Sequence, residues 1–253
     1  MADAFLKPAR FSDAEWQARV QLAACYRMFA HLGWAELIYN HISLRVPGPD
    51  DHFLINPFGL HYTEVTASNL VKVDVDGNII GSSDWPINPA GFTFHGAIHA
   101  TLPEAHCVMH VHTTPTMAVC CSEEGLSYTN FYAAQLWGQV AYHDFEGITV
   151  HREEGARILA SAGGKRVLLL RNHGPVVIGH TLAQAFNLMW LVQRACEIQV
   201  ASAALGPQRR IPVPVLEGCV RDSLNFNPQY GAGEDSFAAM QRLIDRIDPG
   251  YRA

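Results

Sequence analysis

Phosphate-gripping turns are missing from this sequence. It has neither a G-x-G-x-x-G after a strand-like run nor a G-x-x-x-x-G-K-S/T, which excludes the two common nucleotide fingerprints. Cysteine pairs at redox or metal spacing are missing too: Cys25, Cys107, Cys120, Cys121, Cys196 and Cys219 include no C-x-x-C and no disulfide framework, so they read as reduced, mostly buried thiols. Positive charge is scarce, with 18 Lys and Arg against 24 Asp and Glu and a net charge of −6. A protein that grips a nucleic-acid backbone needs the opposite balance, so nucleic acid is excluded as a partner. The longest stretch free of Asp, Glu, Lys and Arg, 172–193, is broken by Asn172, His173, His180, Gln184 and Asn187, whereas a bilayer span takes about 20 predominantly apolar residues. No membrane segment is expected, and with Asp3 near the front and no apolar leader the expected location is cytoplasmic. Internal repeats and low-complexity linkers are absent, which excludes solenoids and argues against two separate domains.

What is present is a core-forming chain of 253 residues, 49% hydrophobic and 17% charged, with 13 histidines. Histidine is both a common metal ligand and the usual acid or base near neutral pH, so the composition points at chemistry. Ser12 and Glu15 spell a capping box ahead of an amphipathic run that Gly33 stops, which predicts a helix over 13–32. Strand-like pieces follow at 41–46, 53–56 and 71–75, the last turning at Asp76-Gly77 into 78–80 as a hairpin. Further patterns predict a helix over 92–101, strands at 107–112, 138–143 and 167–170, helices over 153–162 and 181–205, and a short helix near 236–247. Helices and strands alternate, so the fold class is α/β, with one domain over 1–206 and a tail over 207–253 that packs on the same domain or a neighbouring subunit.

The strongest chemical signal is His110-Val111-His112. Alternate side chains on a strand share a face, so two imidazoles two apart can chelate one ion. His173, in Arg171-Asn172-His173-Gly174, follows the apolar run 167–170 where a strand end meets a glycine-led turn, a good position for a third ligand. His95 and His99 lie four apart on one face of a predicted helix, as acid or base groups or as core histidines. Tyr132 and Tyr142 read equally as site tyrosines or packed aromatics, and Asn40 and Asn56 sit at strand ends.

The segments "NHISLRVP", "INPFGLHYTEVTASNLVKVD", "HVHTTP" and "LLRNHGPVVIGHTLAQAF" carry a resemblance to the class II aldolase/adducin superfamily, in the family's order over roughly residues 14–205. The resemblance implies a three-layer α/β/α fold around a mostly antiparallel sheet, and a homotetramer with sites between subunits. It also implies a divalent metal, Zn²⁺ first with Mn²⁺ or Fe²⁺ as alternatives, on His110, His112 and His173. Tyr132 lies near where the family supplies a tyrosine proton donor, so Tyr132 or His95 is the expected proton donor, and Asn40, Asn56 and Tyr142, at strand ends, are expected to contact substrate. One segment departs from the family. Sugar-phosphate aldolases read Ser-Ser-Glu-x-x-x-His, and Pro89-Ala90-Gly91-Phe92-Thr93-Phe94-His95 stands here, so both phosphate-holding hydroxyls and the catalytic Glu are gone. In the same way Tyr39-Asn40-His41-Ile42-Ser43 replaces the usual Gly-Asn-x-Ser.

The function expected from these residues is a metal-dependent carbon–carbon lyase, a decarboxylase or aldolase, acting on a small unphosphorylated hydroxy, keto or hydroxyaromatic acid. A non-haem iron oxygenase on the same fold is the first alternative, although its usual triad replaces one His with a carboxylate. An adducin-like interaction module without catalysis is the second, and the intact histidine triad argues against it.

Overall fold

The computed structural model describes residues 6–48, 50–225 and 232–253. Seven strands form one sheet: β1 (His41–Arg45), β2 (Phe53–Ile55), β3 (Val71–Val73), β4 (Cys107–His110), β5 (Val140–His143), β6 (Val167–Leu170) and β7 (Gly174–Gly179). Their spatial order is β3-β2-β1-β4-β7-β6-β5, and every neighbouring pair is antiparallel except β5 with β6. That one parallel pair needs a crossover, which α5 (Arg152–Ala162) supplies. The fold is therefore α/β around a mostly antiparallel sheet, as expected.

Strand parity assigns the two faces. Ile42, Leu44, Cys107, Met109, Val167, Leu169 and Val177 point to a layer containing α1 (Asp13–His31), α3 (Thr114–Cys121), α4 (Phe131–Ala134) and α6 (Leu182–Ser202). Val108, Leu168, Leu170, Val176 and Ile178 point the other way, against Phe94 and Ile98 of α2 (Pro89–Thr101) and Ile158 of α5. With both faces covered the strands are continuously buried, and β4, β6 and β7 are buried at every position.

Helix boundaries follow local chemistry. Ser12 caps α1 by accepting from the Glu15 amide at 3.1 Å, and Thr181 caps α6 by accepting from the Gln184 amide at 3.0 Å. Asn88 caps α2 and Pro89 opens it, so that helix begins three residues before the apolar periodicity of 92–101 does. Gly163, at φ 55°, ends α5 in the left-handed region.

Several expectations need correcting. The strand expected over 107–112 stops at His110, because Thr113 already caps α3. The hairpin at Asp76-Gly77 turns as expected, with Asp74 Oδ1 accepting from the Asp76 and Asn78 amides, but its return limb makes only one bridge, Val73 to Ile79. Gly174 leads a strand and not a turn, since β7 was hidden by Pro175, which normally argues against a central strand. The short helices α3 and α4 and the helix α7 (Val213–Asn225) also escaped pattern reading. Beyond residue 207, α7 packs on α4, while α8 (Glu234–Ile247) packs on α1 and α6. Tyr251 is fully buried, and its carbonyl accepts from the Ala67 amide at 2.8 Å. Among the described residues no helix is long and apolar enough to cross a membrane.

Candidate active site

The centre of the sheet creates the site. β4 delivers His110 at its last position, and the chain leaving it places His112 two residues beyond the ladder. The β6–β7 turn, Arg171 to His173, carries Asn172 in the left-handed region at φ 56° and brings His173 back over the same strand end. One nitrogen from each of His110, His112 and His173 lies within 4.8 Å of the others, and the Nε2 atoms of His110 and His112 are 2.7 Å apart. Such an approach requires Gly174. A Cβ there would sit 2.4 Å from the Val111 carbonyl oxygen and 3.2 Å from the His112 ring.

His110 is buried and oriented. Its Nδ1 lies 2.9 Å from the Pro175 carbonyl, which can only accept, so Nδ1 carries the proton and Nε2 offers a lone pair. Burial pushes the His110 and His112 imidazoles below their ordinary pKa, and lowers His173 to about 4, so all three are neutral nitrogen donors at neutral pH. His106, which shares strand parity with His110, is exposed at the opposite end of β4.

Beside this cluster runs a buried chain of polar side chains on the α2 face of the sheet. His41 pairs with His110 across β1 and β4, and the two rings stack at 5.2 Å. His41 Nδ1 lies 2.8 Å from His95 Nε2, His95 Nδ1 lies 2.7 Å from Ser43 Oγ, Ser43 Oγ lies 2.6 Å from His99 Nε2, and His99 Nδ1 lies 2.8 Å from the Ala105 carbonyl oxygen. Burial is the main cause that depresses the His41, His95 and His99 imidazoles, His99 to about 3. Sequence reading left His41 and Ser43 without a role. The available signal was their alternation on β1, matched by the four-residue spacing of His95 and His99 on α2.

The other sequence candidates fall in different places. His95 has both ring nitrogens engaged and reaches the cluster only through His41. Asn40, at φ 69° and 2% exposed, has neither side-chain amide atom hydrogen bonded among the described residues, a buried polar group awaiting a partner. Asn56 is tied to Tyr26, whose hydroxyl lies 2.9 Å from its Oδ1 and accepts from its amide at 3.1 Å, stitching β2 to α1. Tyr142 accepts at its hydroxyl from the Leu126 amide at 3.0 Å and lies under the Arg171 guanidinium. Tyr132, on α4, packs against the α1–α6 layer with the Arg194 guanidinium 5.8 Å from its ring.

Where the sugar-phosphate aldolases carry Glu, this chain carries Gly91, and the space is taken. A Cβ on Gly91 would lie 2.2 Å from Cδ2 and 2.4 Å from Nε2 of the His41 ring. His41 occupies the room that a side chain at 91 would need.

Comparison with known proteins agrees with this architecture. The model of the class II aldolase and adducin N-terminal domain matches residues 20–200. A Caulobacter vibrioides protein assigned to class 2 aldolases by name alone is 44% identical over 243 residues, 96% of this chain and 94% of that one. Rat alpha-adducin is 41% identical over 96% of this chain, which spans 34% of it. The crystal structure of an aldolase II superfamily protein from Pseudomonas syringae superposes with a TM-score of 0.90 at 39% identity, covering 96% of this chain and 98% of that one. With most of its length matched and its fold shared, the chain belongs to the class II aldolase/adducin family.

Proposed function

We propose that this protein is a metal-dependent carbon–carbon lyase, a decarboxylase or aldolase, acting on a small unphosphorylated acid with an oxygen beside its carboxylate. His110, His112 and His173 would hold the ion. The observation that carries this reading is the convergence of three neutral imidazoles, one of them locked by the Pro175 carbonyl with its Nε2 lone pair turned inward. The donor set fits a divalent ion, because tetrahedral zinc at its usual nitrogen distance holds two ligand nitrogens roughly 3.3 Å apart. The 2.7 Å pair of His110 and His112 need open only slightly to meet that spacing. Zn²⁺ heads the list, and Mn²⁺ and Fe²⁺ suit the same ligands.

A divalent ion in this position supplies Lewis acidity, stabilising the negative charge released when a carbon–carbon bond beside the chelated oxygens breaks. The chain's own residues do the rest. Pro175 fixes the His110 tautomer, the unpaired Asn40 amide offers a hydrogen bond to a ligand, and the apolar wall beneath β4 keeps water from the buried side of the cluster. A homotetramer belongs to the same reading. Phe145, whose ring lies 6.4 Å from His173, and Ile148 are 53% and 80% exposed, the kind of apolar rim that a neighbouring subunit would cover.

The reading is tested by measuring CO₂ and aldehyde release from 2-hydroxy, 2-keto and hydroxyaromatic acids, without oxygen, in the presence of Zn²⁺, Mn²⁺ or Fe²⁺. Turnover with at least one metal is expected. Product formed only with Fe²⁺ and O₂ would replace the lyase by an oxygenase. No product under either condition, together with no bound metal, would favour an adducin-like interaction module, the second reading, which the 41% identity to alpha-adducin supports.

Phosphorylated sugars should fail as substrates. Pro89 has no amide hydrogen, and the Ala90 amide already donates to Asn88 Oδ1 at 3.1 Å, so the start of α2 offers little to an anion. Cleavage of L-fuculose 1-phosphate at a rate within about tenfold of a dedicated aldolase would contradict this, since a phosphate held without its donors is strongly disfavoured.

A further inference from the structure

The hydrogen-bond chain beside the cluster has a direction, set at its far end. The Ala105 carbonyl can only accept, so His99 Nδ1 carries a proton and His99 Nε2 is bare. Ser43 must then donate its hydroxyl proton to His99 Nε2, which leaves Ser43 Oγ to accept from His95 Nδ1. His95 Nε2 is bare in turn and accepts from His41 Nδ1. With its proton committed to Nδ1, His41 presents Nε2 as a lone pair with no partner among the described residues. The ring that bears it stacks on His110 and fills the space above Gly91. One backbone carbonyl thus fixes the proton positions of three imidazoles and a hydroxyl, and the outcome is a fixed acceptor on the ring that stacks against His110.

We infer that His41 Nε2 receives the hydrogen of a substrate hydroxyl beside the three-histidine cluster, so that the site selects a hydroxy acid over the corresponding keto acid. His95, Ser43 and His99 act as positioning residues that hold the His41 tautomer. The inference rests on the lyase reading for what binds next to His41, and it names the substrate class within that reading. The discrimination has a physical source. A keto oxygen brings no hydrogen and would set its lone pairs against that of Nε2, leaving a buried acceptor unpaired, whereas a hydroxyl pairs with it. A carboxylate at position 91 could accept the same hydrogen, but Gly91 and His41 cannot share the space with one.

The test is nuclear magnetic resonance on protein labelled with ¹⁵N in its histidine rings, followed by ligand titration. With no metal added, His41, His95 and His99 should each show the Nδ1–H tautomer, and Ser43→Ala should release His41 into a mixture of both. An Nε2–H tautomer for His41 in the unmodified protein would overturn the inference. With Zn²⁺ bound, lactate should move the His41 Nε2 resonance and bind at least about tenfold tighter than pyruvate, a discrimination of the size one paired buried acceptor supplies. His41→Phe should erase that preference while zinc content is retained. Equal weakening of both ligands in the variant, or an unmoved Nε2 resonance with lactate, would also overturn it and leave His41 a packing residue. Failure of the lyase reading looks different: zinc stoichiometry near zero with the His41 tautomer unchanged.

Discussion

Alanine in place of His112 or His173 will leave the purified protein with under about a tenth of the divalent metal of the unmodified chain, because two imidazoles alone hold such an ion weakly. The comparison is informative because neither side chain is fully buried, so metal is lost without opening the core. His110→Ala should show the same loss with an added stability cost. It removes the donor to the Pro175 carbonyl, and an unpaired buried acceptor costs about 1–3 kcal/mol. His106→Ala is the control, exposed just before the far end of the same strand, and it should keep its metal. Elemental analysis after purification without chelator decides the matter, and unchanged metal in the His112 and His173 variants would sink the ligand assignment.

Acid will destabilise the metal-free protein well above the carboxylate range. His99 is fully buried, stacked on Phe53 at 4.2 Å, and faces the Arg45 guanidinium and His106, and burial with these neighbours holds its pKa near 3. The unfolded chain takes up that proton near pH 6.5, so below this point the unfolded state binds more protons and stability falls with pH. The loss runs from pH 6.5 down to the folded value. At pH 5 it amounts to about 2 kcal/mol from His99 alone, from 1.5 units at 1.36 kcal/mol each. His41 and His95 are depressed in the same direction and steepen the decline. Urea titrations at pH 7, 6 and 5 should show the fall, and His99→Gln should flatten it. A pH-independent midpoint over that range would contradict the assignment of neutral buried histidines.

The elements that could be read in advance are those with strong local signals. Ser12 and Thr181 announced α1 and α6, Gly163 ended α5, and the apolar runs 107–110 and 167–170 became β4 and β6. β7 was not legible, because Pro175 at its second position breaks the strand rule and its real purpose, a carbonyl for His110, lies 65 residues away. The site divides the same way. His110, His112 and His173 stand out through spacing and resemblance, although His112 lies beyond the strand that the parity argument assumed. The role of His41 depends on α2 packing across β1 and on the absence of a side chain at Gly91, neither of which any local window of sequence contains. Tyr142 and Asn56 lie at strand ends as read, yet their polar atoms are engaged in holding neighbouring segments together.

The separation of His110 from Pro175 also governs how the site comes into being. Between β4 and β7 the chain must run through α3, α4, β5, α5 and β6, so no short fragment of the chain contains the site. Closing a loop of 65 residues costs roughly 3.7 kcal/mol of chain entropy by the logarithmic length law, before any histidine meets another. The cluster is complete only once the two central strands have paired. An ion that needs all three imidazoles therefore stabilises the paired state and not the separated segments.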